Sequence, residues 1–180
     1  VLCGSQEIGV KTLELLLDMG QDIPIVFTYK PESYEQWKFD LGETALNKGI
    51  HVEFTRKIDK EPFLSKFKNA KPDWLLLVGW RDIIPKQIYT IPVHGGANLH
   101  QSILPEGRGF SPFNWPIILG KDSTGVSLFK LAEGIDTGII LGQTDEISIA
   151  PRETYGSLAK KLVNPSLKLI QSVVEKLDSG

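Results

Sequence analysis

Three polar side chains in the second half of the chain are of types that can act together on a carbonyl group. Asn98 and His100 lie in the segment GGANLHQSILPEGRG (95–109), and Asp136 lies in GIDTG (134–138), 36 residues after His100. Asn and His can donate hydrogen bonds to an oxygen that becomes negative, while Asp can orient and charge the imidazole. Such a set suits a reaction through a tetrahedral oxyanion and requires no Ser or Cys nucleophile.

The same residues also have a purely structural interpretation. An Asn and a His at the end of a strand are often satisfied by the backbone groups of a turn, and an Asp before Thr-Gly is a common turn former. The residue types alone leave both interpretations open.

Alternating apolar and amphipathic segments predict the elements that would position these residues. The first segment, VLCGSQEIGVKTLELLLDMG (1–20), has the pattern of a strand, a turn at Gly4-Ser5 and a helix with apolar residues at helical spacing. Further strands are predicted at 23–29, 51–54, 72–79, 95–100, 124–131 and 138–149. Strands that alternate with helices form βαβ units, so we expect an α/β fold with a doubly wound, mostly parallel sheet and helices on both faces.

The later helices are predicted with particular ends. We expect a helix over 111–120 with Ser111 as its N-cap and Pro112 at its first position. A closing amphipathic helix is expected over 155–177, interrupted near Pro165. Shorter helices are expected over 61–70 and in the second half of 30–49.

The predicted order of elements gathers the polar residues at one edge of the sheet. In open parallel sheets, ligands bind beyond the carboxyl ends of the strands. Asn98 and His100 end one predicted strand, Trp80, Arg81 and Asp82 follow another, and Asp136 lies in a glycine-flanked loop. We therefore expect these loops to converge on one crevice.

The composition is that of a single soluble domain spanning 1–180. Hydrophobic residues make up 41% of the 180 residues and charged residues 23%, close to the averages for globular proteins. No apolar run has the length of a membrane span and the N-terminus lacks the zones of a signal peptide, so we expect a cytoplasmic protein. The net charge of -2 gives no general attraction for polyanions. The single Cys3 excludes an intrachain disulfide, and three scattered His residues predict no metal site.

Two segments taken together resemble a known enzyme family. NLHQSILPEGRGFSPFNW (98–115) followed by TGVSLFKLAEGIDTGIIL (124–141) is similar to the core signature of the N10-formyltetrahydrofolate-dependent formyltransferases. That signature pairs Asn-x-His-x-Ser-x-Leu-Pro with a downstream Asp-x-Gly. The resemblance is strong over residues 75–145 and implies a Rossmann-like fold.

The resemblance assigns roles to the three polar residues. It implies that Asn98 donates to the formyl oxygen and that a protonated His100 stabilises the same oxyanion. Asp136 would orient and charge His100 and help to relay protons. The attacking group would be a primary amine, and the leaving nitrogen of the folate would depart protonated.

The resemblance also implies the residues that bind the formyl donor. Backbone groups of two loops would hold the pterin of N10-formyltetrahydrofolate, from Trp80, Arg81, Asp82, Ile83 and Ile84 and from Leu131, Ala132, Glu133, Gly134 and Ile135. Contacts to the acceptor are expected from Ser5, Ser102, Arg108 and Gly109. The turn at Ser5 could receive a phosphate at a helix N-terminus, although it lacks a full nucleotide fingerprint.

Members of the family formylate different amines, and the charge pattern favours one class. Family members that act on methionyl-tRNA carry a basic insert after the second strand and a basic C-terminal domain. Here the segment from Lys30 to Glu43 has two Lys residues against four acidic ones. A tRNA partner needs clustered cations, so we expect a nucleotide-linked amino sugar as the acceptor.

Other interpretations stay open at the level of the sequence. The chain could formylate methionyl-tRNA, could hydrolyse formyltetrahydrofolate, or could be a folate-binding module without catalysis. Because it opens inside an apolar run, we expect a first strand that begins before Val1. A region after Gly180 would supply any C-terminal domain.

Overall fold

A computed structural model describes residues 1–30 and 39–179. The strands are β1 (Leu2–Gly4), β2 (Ile25–Thr28), β3 (His51–Phe54), β4 (Leu75–Val78), β5 (Gly96–His100), β6 (Ser123–Thr124), β7 (Ser127–Lys130), β8 (Ile140–Gln143) and β9 (Ile147–Ser148). The helices are α1 (Gln6–Asp18), α2 (Leu41–Asn47), α3 (Phe63–Asn69), α4 (Lys86–Tyr89), α5 (Asn114–Ile118) and α6 (Tyr155–Asp178).

Seven of these strands form one mostly parallel sheet in the order β3-β2-β1-β4-β5-β7-β8. β1 pairs in parallel with β2 and β4, and β2 pairs in parallel with β3. β7 and β8 pair antiparallel, as expected for strands joined by a short loop. The predicted α/β fold with a mostly parallel sheet is thereby confirmed.

The first of two compact units, Val1–Ala97, is built on apolar strands with a helix packed against them. All residues of β1 and β2 are buried, including Cys3, as expected for strands inside a parallel sheet. The buried side of α1 carries Ile8, Leu13 and Leu16 at helical spacing. The sequence predicted each of these elements from its apolar pattern.

The second unit, Asn98–Gly180, contains the β7–β8 pair, with α6 in contact with both strands. The predicted interruption of this last helix is wrong, because α6 runs from Tyr155 to Asp178 with Pro165 inside it. A proline removes one backbone hydrogen bond, whereas apolar side chains are buried both before it (Leu158, Leu162) and after it (Leu169, Ile170). Burial of that face on both sides offsets the lost bond.

Two further local predictions are corrected in this unit. Ser111 is not the N-cap of a helix: its φ is 57°, whereas an N-cap residue is extended, and α5 begins at Asn114 with Pro112 outside it. The predicted strand over 138–149 is two strands, of which β8 joins the large sheet and β9 pairs antiparallel with β6. β8 and β9 are short and belong to different sheets. The sequence therefore carries no periodic pattern that marks the boundary between them.

A buried carboxylate ties the outer strand β3 to helix α3. Glu53 is 11% exposed at its side chain and accepts hydrogen bonds from His51 Nε2 at 2.6 Å and Lys66 Nζ at 2.5 Å. Burial acts to raise the pKa of Glu53, but the hydrogen bonds and charges of Lys66 and His51 outweigh it, so its pKa lies below the ordinary value. Ionised Glu53 therefore stabilises the fold.

We predict that Glu53→Gln lowers the free energy of unfolding at pH 7 by about 1–2 kcal/mol, because a charged acceptor is lost from two hydrogen bonds. A lowered folded-state pKa means that this stabilisation is complete above the unfolded pKa and disappears as the pH falls through the folded pKa. Denaturant titrations from pH 7 to pH 3 should show the two proteins converging in acid. Glu14→Gln, in the exposed Lys11–Glu14 pair, is the control and should change stability by less than about 0.5 kcal/mol. An equal effect of both substitutions would contradict this account.

Candidate active site

Strand β5 presents Asn98 and His100 on the same side of the sheet. Successive side chains of a strand alternate between faces, so residues two apart share a face, and Leu99 between them is buried on the other. His100 is the last residue of the strand. The strand thus ends on two polar groups that point the same way.

His100 is held in place on two sides. Its side chain is 6% exposed, and its ring meets Phe129 of β7 edge to face with centroids 6.3 Å apart. Its Nε2 is 2.8 Å from the backbone oxygen of Gly107. A carbonyl oxygen can only accept a hydrogen bond, so this contact assigns a proton to Nε2.

The other ring nitrogen of His100 faces Asp136. Nδ1 lies 3.6 Å from Asp136 Oδ2, within ion-pair distance, and the Asp136 side chain is only 14% exposed. The same Oδ2 accepts a hydrogen bond from the backbone N–H of Gly109 at 2.8 Å, and the Asp136 carbonyl oxygen accepts one from Arg108 Nε at 2.9 Å. The ring thus lies between the Gly107 carbonyl at Nε2 and a carboxylate at Nδ1.

The loop between β7 and β8 brings Asp136 to this position by an unusually tight path. Asp136 has a φ of 51°, a left-handed conformation that Asp adopts more readily than most residues. Two residues later, a Cβ on Gly138 would lie 1.5 Å from the backbone oxygen of Lys130. Gly138 is therefore required for the loop to close against β7.

The carboxamide of Asn98 is available to a ligand. Asn98 is partly exposed, and its side chain makes no hydrogen bond to any residue within 1–30 or 39–179. A partly exposed amide on the same side of the strand as a buried histidine can donate to an oxygen of a bound substrate. Of the three residues predicted to be catalytic, the structure brings His100 and Asp136 together and puts Asn98 on the His100 side of β5.

The four residues predicted to contact the acceptor have different surroundings. Ser5 is fully buried and its hydroxyl donates to the Gly79 carbonyl at 2.7 Å. Ser102 is buried and donates to the Glu106 carbonyl at 2.8 Å. The hydroxyls of both serines thus already have backbone partners, whereas Arg108 is exposed beside Asp136 and Gly109 donates to the Asp136 carboxylate.

The first loop predicted to hold the pterin is braced by Tyr29, a residue that sequence reasoning missed. Trp80 stacks on Tyr29 with ring centroids 4.6 Å apart, and the Tyr29 hydroxyl accepts a hydrogen bond from the backbone N–H of Arg81 at 2.6 Å. Burial, together with the charge of Asp82, raises the pKa of Tyr29, so its hydroxyl is neutral. Asp82 also accepts two hydrogen bonds from Arg56. The only sequence signal was an aromatic residue at the end of the second strand.

Both loop segments predicted to hold the pterin contain backbone groups that lack a backbone hydrogen bond in the described part of the chain. In the described part of the chain, Ile83, Ile84, Ala132 and Ile135 make no backbone–backbone hydrogen bond. The side chain of Ile83 is 83% exposed, and that of Ile135 is 60% exposed. The Glu133 carbonyl accepts from the Thr137 hydroxyl at 2.7 Å, which braces the second segment.

Sequence comparison identifies a family for this chain, whose sheet carries Asn-x-His at a strand end and an Asp in a nearby loop. The family profile described as formyl transferase matches residues 4–174. The chain belongs to the formyl transferase family. The family membership predicted from the two sequence segments is therefore confirmed.

Curated members of the formyl transferase family match the whole chain. The methionyl-tRNA formyltransferases of Thermodesulfovibrio yellowstonii and Koribacter versatilis are each 33% identical over 184 and 186 residues. That of Clostridioides difficile is 32% identical over 185 residues. In each case the match covers 100% of this chain and 59% of the relative, so the chain spans about three fifths of the length of these proteins.

Solved structures of three enzymes share this fold. Phosphoribosylglycinamide formyltransferase from Bacillus halodurans has a TM-score of 0.81 at 20% identity, covering 98% of this chain and 93% of that one. A formyltetrahydrofolate deformylase from Pseudomonas syringae has a TM-score of 0.78 at 18% identity, covering 96% and 58%. An N-formyltransferase from Helicobacter canadensis, in complex with folinic acid and dTDP-3-aminofucose, has a TM-score of 0.72 at 22% identity, covering 97% and 63%.

None of the helices in the described residues combines the length and the apolar composition of a membrane span. In the same part of the chain, no group of three or more His, Cys, Asp or Glu side chains is placed to hold a metal ion.

We predict that Gly138→Ala destabilises the protein by roughly 3 kcal/mol or more, because the new methyl group overlaps the Lys130 carbonyl and the backbone must move. Thermal unfolding measures the effect. Gly156→Ala is the matched control, since a Cβ there meets nothing within 4 Å and lies in helix α6. That substitution should leave stability unchanged or raise it by up to about 1 kcal/mol. Similar melting temperatures for the two variants would show that the loop does not need Gly138.

Proposed function

We propose that this chain is the catalytic part of an enzyme that transfers the formyl group of N10-formyltetrahydrofolate to a primary amine. The observation that carries the proposal is the free carboxamide of Asn98 beside the His100–Asp136 pair at the end of β5. Membership of the formyl transferase family supports it.

The reaction makes specific demands on the protein. The amine nitrogen bonds to the formyl carbon, the formyl oxygen becomes negative, and the bond to the folate nitrogen then breaks as that nitrogen takes a proton. The site must stabilise the oxyanion and move one proton from the amine towards the leaving nitrogen. It needs no nucleophile from the protein.

Asn98 meets the first demand. Its amide N–H groups donate to the formyl oxygen, and they bind more strongly as that oxygen gains charge. Because the carboxamide has no hydrogen-bond partner in the described part of the chain, it can do this without breaking an existing bond.

His100 adds positive charge on the same side of the strand. With Nε2–H directed at Gly107 and Nδ1 facing Asp136, the ring lies between a backbone acceptor and a carboxylate, and in the proposed mechanism it acts in its protonated form. To donate to the oxyanion directly, the Nε2–H of His100 must give up its hydrogen bond to the Gly107 carbonyl and form one to the substrate oxygen. Asp136 balances the charge of the ring and accepts, through water, the proton that the amine loses; this proton then passes to the folate nitrogen as the bond to the formyl carbon breaks.

We assign the formyl donor to the two loop segments that the family resemblance implies. Free backbone groups at Ile83, Ile84, Ala132 and Ile135 are of the kind that can pair with the alternating donors and acceptors of a pterin ring. When bound, the folate supplies the activated formyl group. The protein's part is to hold it and to exclude water from the formyl carbon.

For the acceptor we propose a nucleotide-linked amino sugar. The segment from Lys30 to Glu43 is acidic in the sequence, which disfavours a close phosphate backbone, although residues 31–38 lie outside the described part. The N-formyltransferase from Helicobacter canadensis, which has the same fold, is in complex with dTDP-3-aminofucose.

Two other reactions of the same site each have an observation in their favour. The curated relatives that match the whole chain at 33% identity are methionyl-tRNA formyltransferases, which favours methionyl-tRNA as a second candidate acceptor. The fold is also that of a formyltetrahydrofolate deformylase, a name that implies attack by water in place of an amine. The same residues could serve each reaction.

A formyl-transfer assay with the full-length protein separates these candidates. We expect turnover of at least one nucleotide-linked amino sugar and no tRNA binding that weakens steeply with salt. The panel includes methionyl-tRNA and glycinamide ribonucleotide, and formate is measured without any amine. Formylation of methionyl-tRNA alone would overturn the choice of acceptor, and formate release alone would identify a hydrolase. Folate binding without either product would identify a binding module.

We predict that Asn98→Ala and His100→Asn each lower kcat about a hundredfold or more while folate binding is largely kept, because an oxyanion donor acts mainly in the transition state. Single-turnover rates and folate titrations measure the two effects separately. Asn164→Ala, an exposed position on helix α6, is the control and should keep full activity. A near-normal rate in either site variant would remove that residue from the mechanism.

A further inference from the structure

Three consecutive residues, Gly107, Arg108 and Gly109, hold both members of the His–Asp pair, and we call them loop 107–109. The Gly107 carbonyl accepts from His100 Nε2, Arg108 Nε donates to the Asp136 carbonyl, and the Gly109 N–H donates to the Asp136 carboxylate. Any movement of this loop therefore changes the surroundings of both His100 and Asp136.

The middle residue of the loop carries a positive charge that is not neutralised. Arg108 is exposed, and its hydrogen bond to a carbonyl uses only Nε–H out of five donors. Within residues 1–30 and 39–179, no carboxylate oxygen lies within 4 Å of its guanidinium. The nearby Glu106 accepts a hydrogen bond from Lys121 at 2.5 Å instead. The terminal nitrogens of Arg108 are thus free to bind an anion.

The two glycines on either side give the loop a backbone path that other residues rarely adopt. Gly107 and Gly109 have φ values of 68° and 96°, and a Cβ on Gly109 would meet nothing within 4 Å. Glycine loses more conformational freedom on ordering than any other residue. A ligand that fixes Arg108 from outside therefore limits the freedom of the segment that orients His100 and Asp136.

We propose that Arg108 receives a phosphate group of the acceptor and that this contact locks loop 107–109, and with it the His–Asp pair, in the reactive arrangement. The inference rests on the proposed function and says how binding of the acceptor orders the catalytic residues. Arg108 then positions Asp136 while it touches the acceptor at a point remote from the reacting amine. Binding energy from a remote group serves to orient the reacting centre.

The chemistry of the ligand follows from the shape of the guanidinium. Its planar edge matches two oxygens of one phosphate group, and a single arginine supplies one such site. This suits an acceptor with a phosphate or diphosphate close to the amine-bearing group, as in a sugar nucleotide. A nucleic-acid backbone needs several such cations together.

The first test is a binding experiment that needs no formyl transfer. Inorganic pyrophosphate is titrated into the ¹⁵N-labelled full-length protein at constant ionic strength, and the backbone amide signals are followed by NMR. We expect saturable shifts at Gly107, Gly109, Asp136 and Thr137, together with a change in the ring ¹⁵N signals of His100. These shifts should be absent in Arg108→Ala and kept in Arg152→Ala, which removes an exposed arginine elsewhere in the same unit. Equal shifts in Arg108→Ala, or shifts that do not saturate, would overturn the proposal.

The second test uses kinetics with the acceptor identified by the transfer assay. For Arg108→Ala we expect the KM for the phosphate-bearing acceptor to rise about tenfold and kcat to fall about tenfold. With an analogue of the amine that lacks the phosphate, the same substitution should change KM and kcat much less. Arg108→Lys should recover part of the KM effect but not kcat, because an ammonium cannot hold the Asp136 carbonyl and an anion in one plane.

The two tests fail in distinguishable ways. If no amine is formylated but pyrophosphate still shifts Asp136 through Arg108, the proposed function is wrong and the anion site stands. If an acceptor is formylated and Arg108→Ala changes only KM, the coupling to the His–Asp pair is wrong. If Arg108→Ala changes neither constant, Arg108 does not contact the acceptor.

Discussion

The hydrogen bonds from loop 107–109 to His100 and Asp136 set the geometry of the candidate site. Asp136 lies at a positive φ, which costs an L residue roughly 1–2 kcal/mol. The bonds from the Gly109 N–H to the carboxylate and from Arg108 Nε to the carbonyl offset that cost. The Gly107 carbonyl fixes the His100 ring at the same time. The strand end, the loop and the carboxylate are thus one hydrogen-bonded group.

A largely buried carboxylate constrains its surroundings, because an ionised Asp away from water needs donors or a positive charge. Asp136 has one donor in the Gly109 N–H and a potential positive charge in His100 at 3.6 Å. Two neighbours lie where they can satisfy this carboxylate: the Gly109 N–H of loop 107–109 and Nδ1 of His100 at the end of β5.

The sequence could predict what depends on local pattern. Continuous apolar runs predicted β2 and β4, and the polar residues at the end of GGANLH correctly marked the carboxyl end of β5. The family resemblance paired His100 with Asp136, and the two side chains lie 3.6 Å apart in the structure. By contrast, the helix that continues through Pro165, the φ of Ser111 and the bracing of Trp80 by Tyr29 depend on contacts made only in the folded chain. No local periodicity carries that information.

The shared fold does not by itself decide which reaction the pair serves. Structures of similar fold include a transferase to glycinamide ribonucleotide and a formyltetrahydrofolate deformylase, at 20% and 18% identity. An oxyanion donor and a His–Asp pair stabilise attack by an amine or by water equally well. A transferase must therefore gain its selectivity outside these three residues, by excluding water from the formyl carbon and by making the pair depend on the acceptor. A loop that joins both members of the pair and carries an exposed arginine between two glycines is the element of this chain best suited to that role.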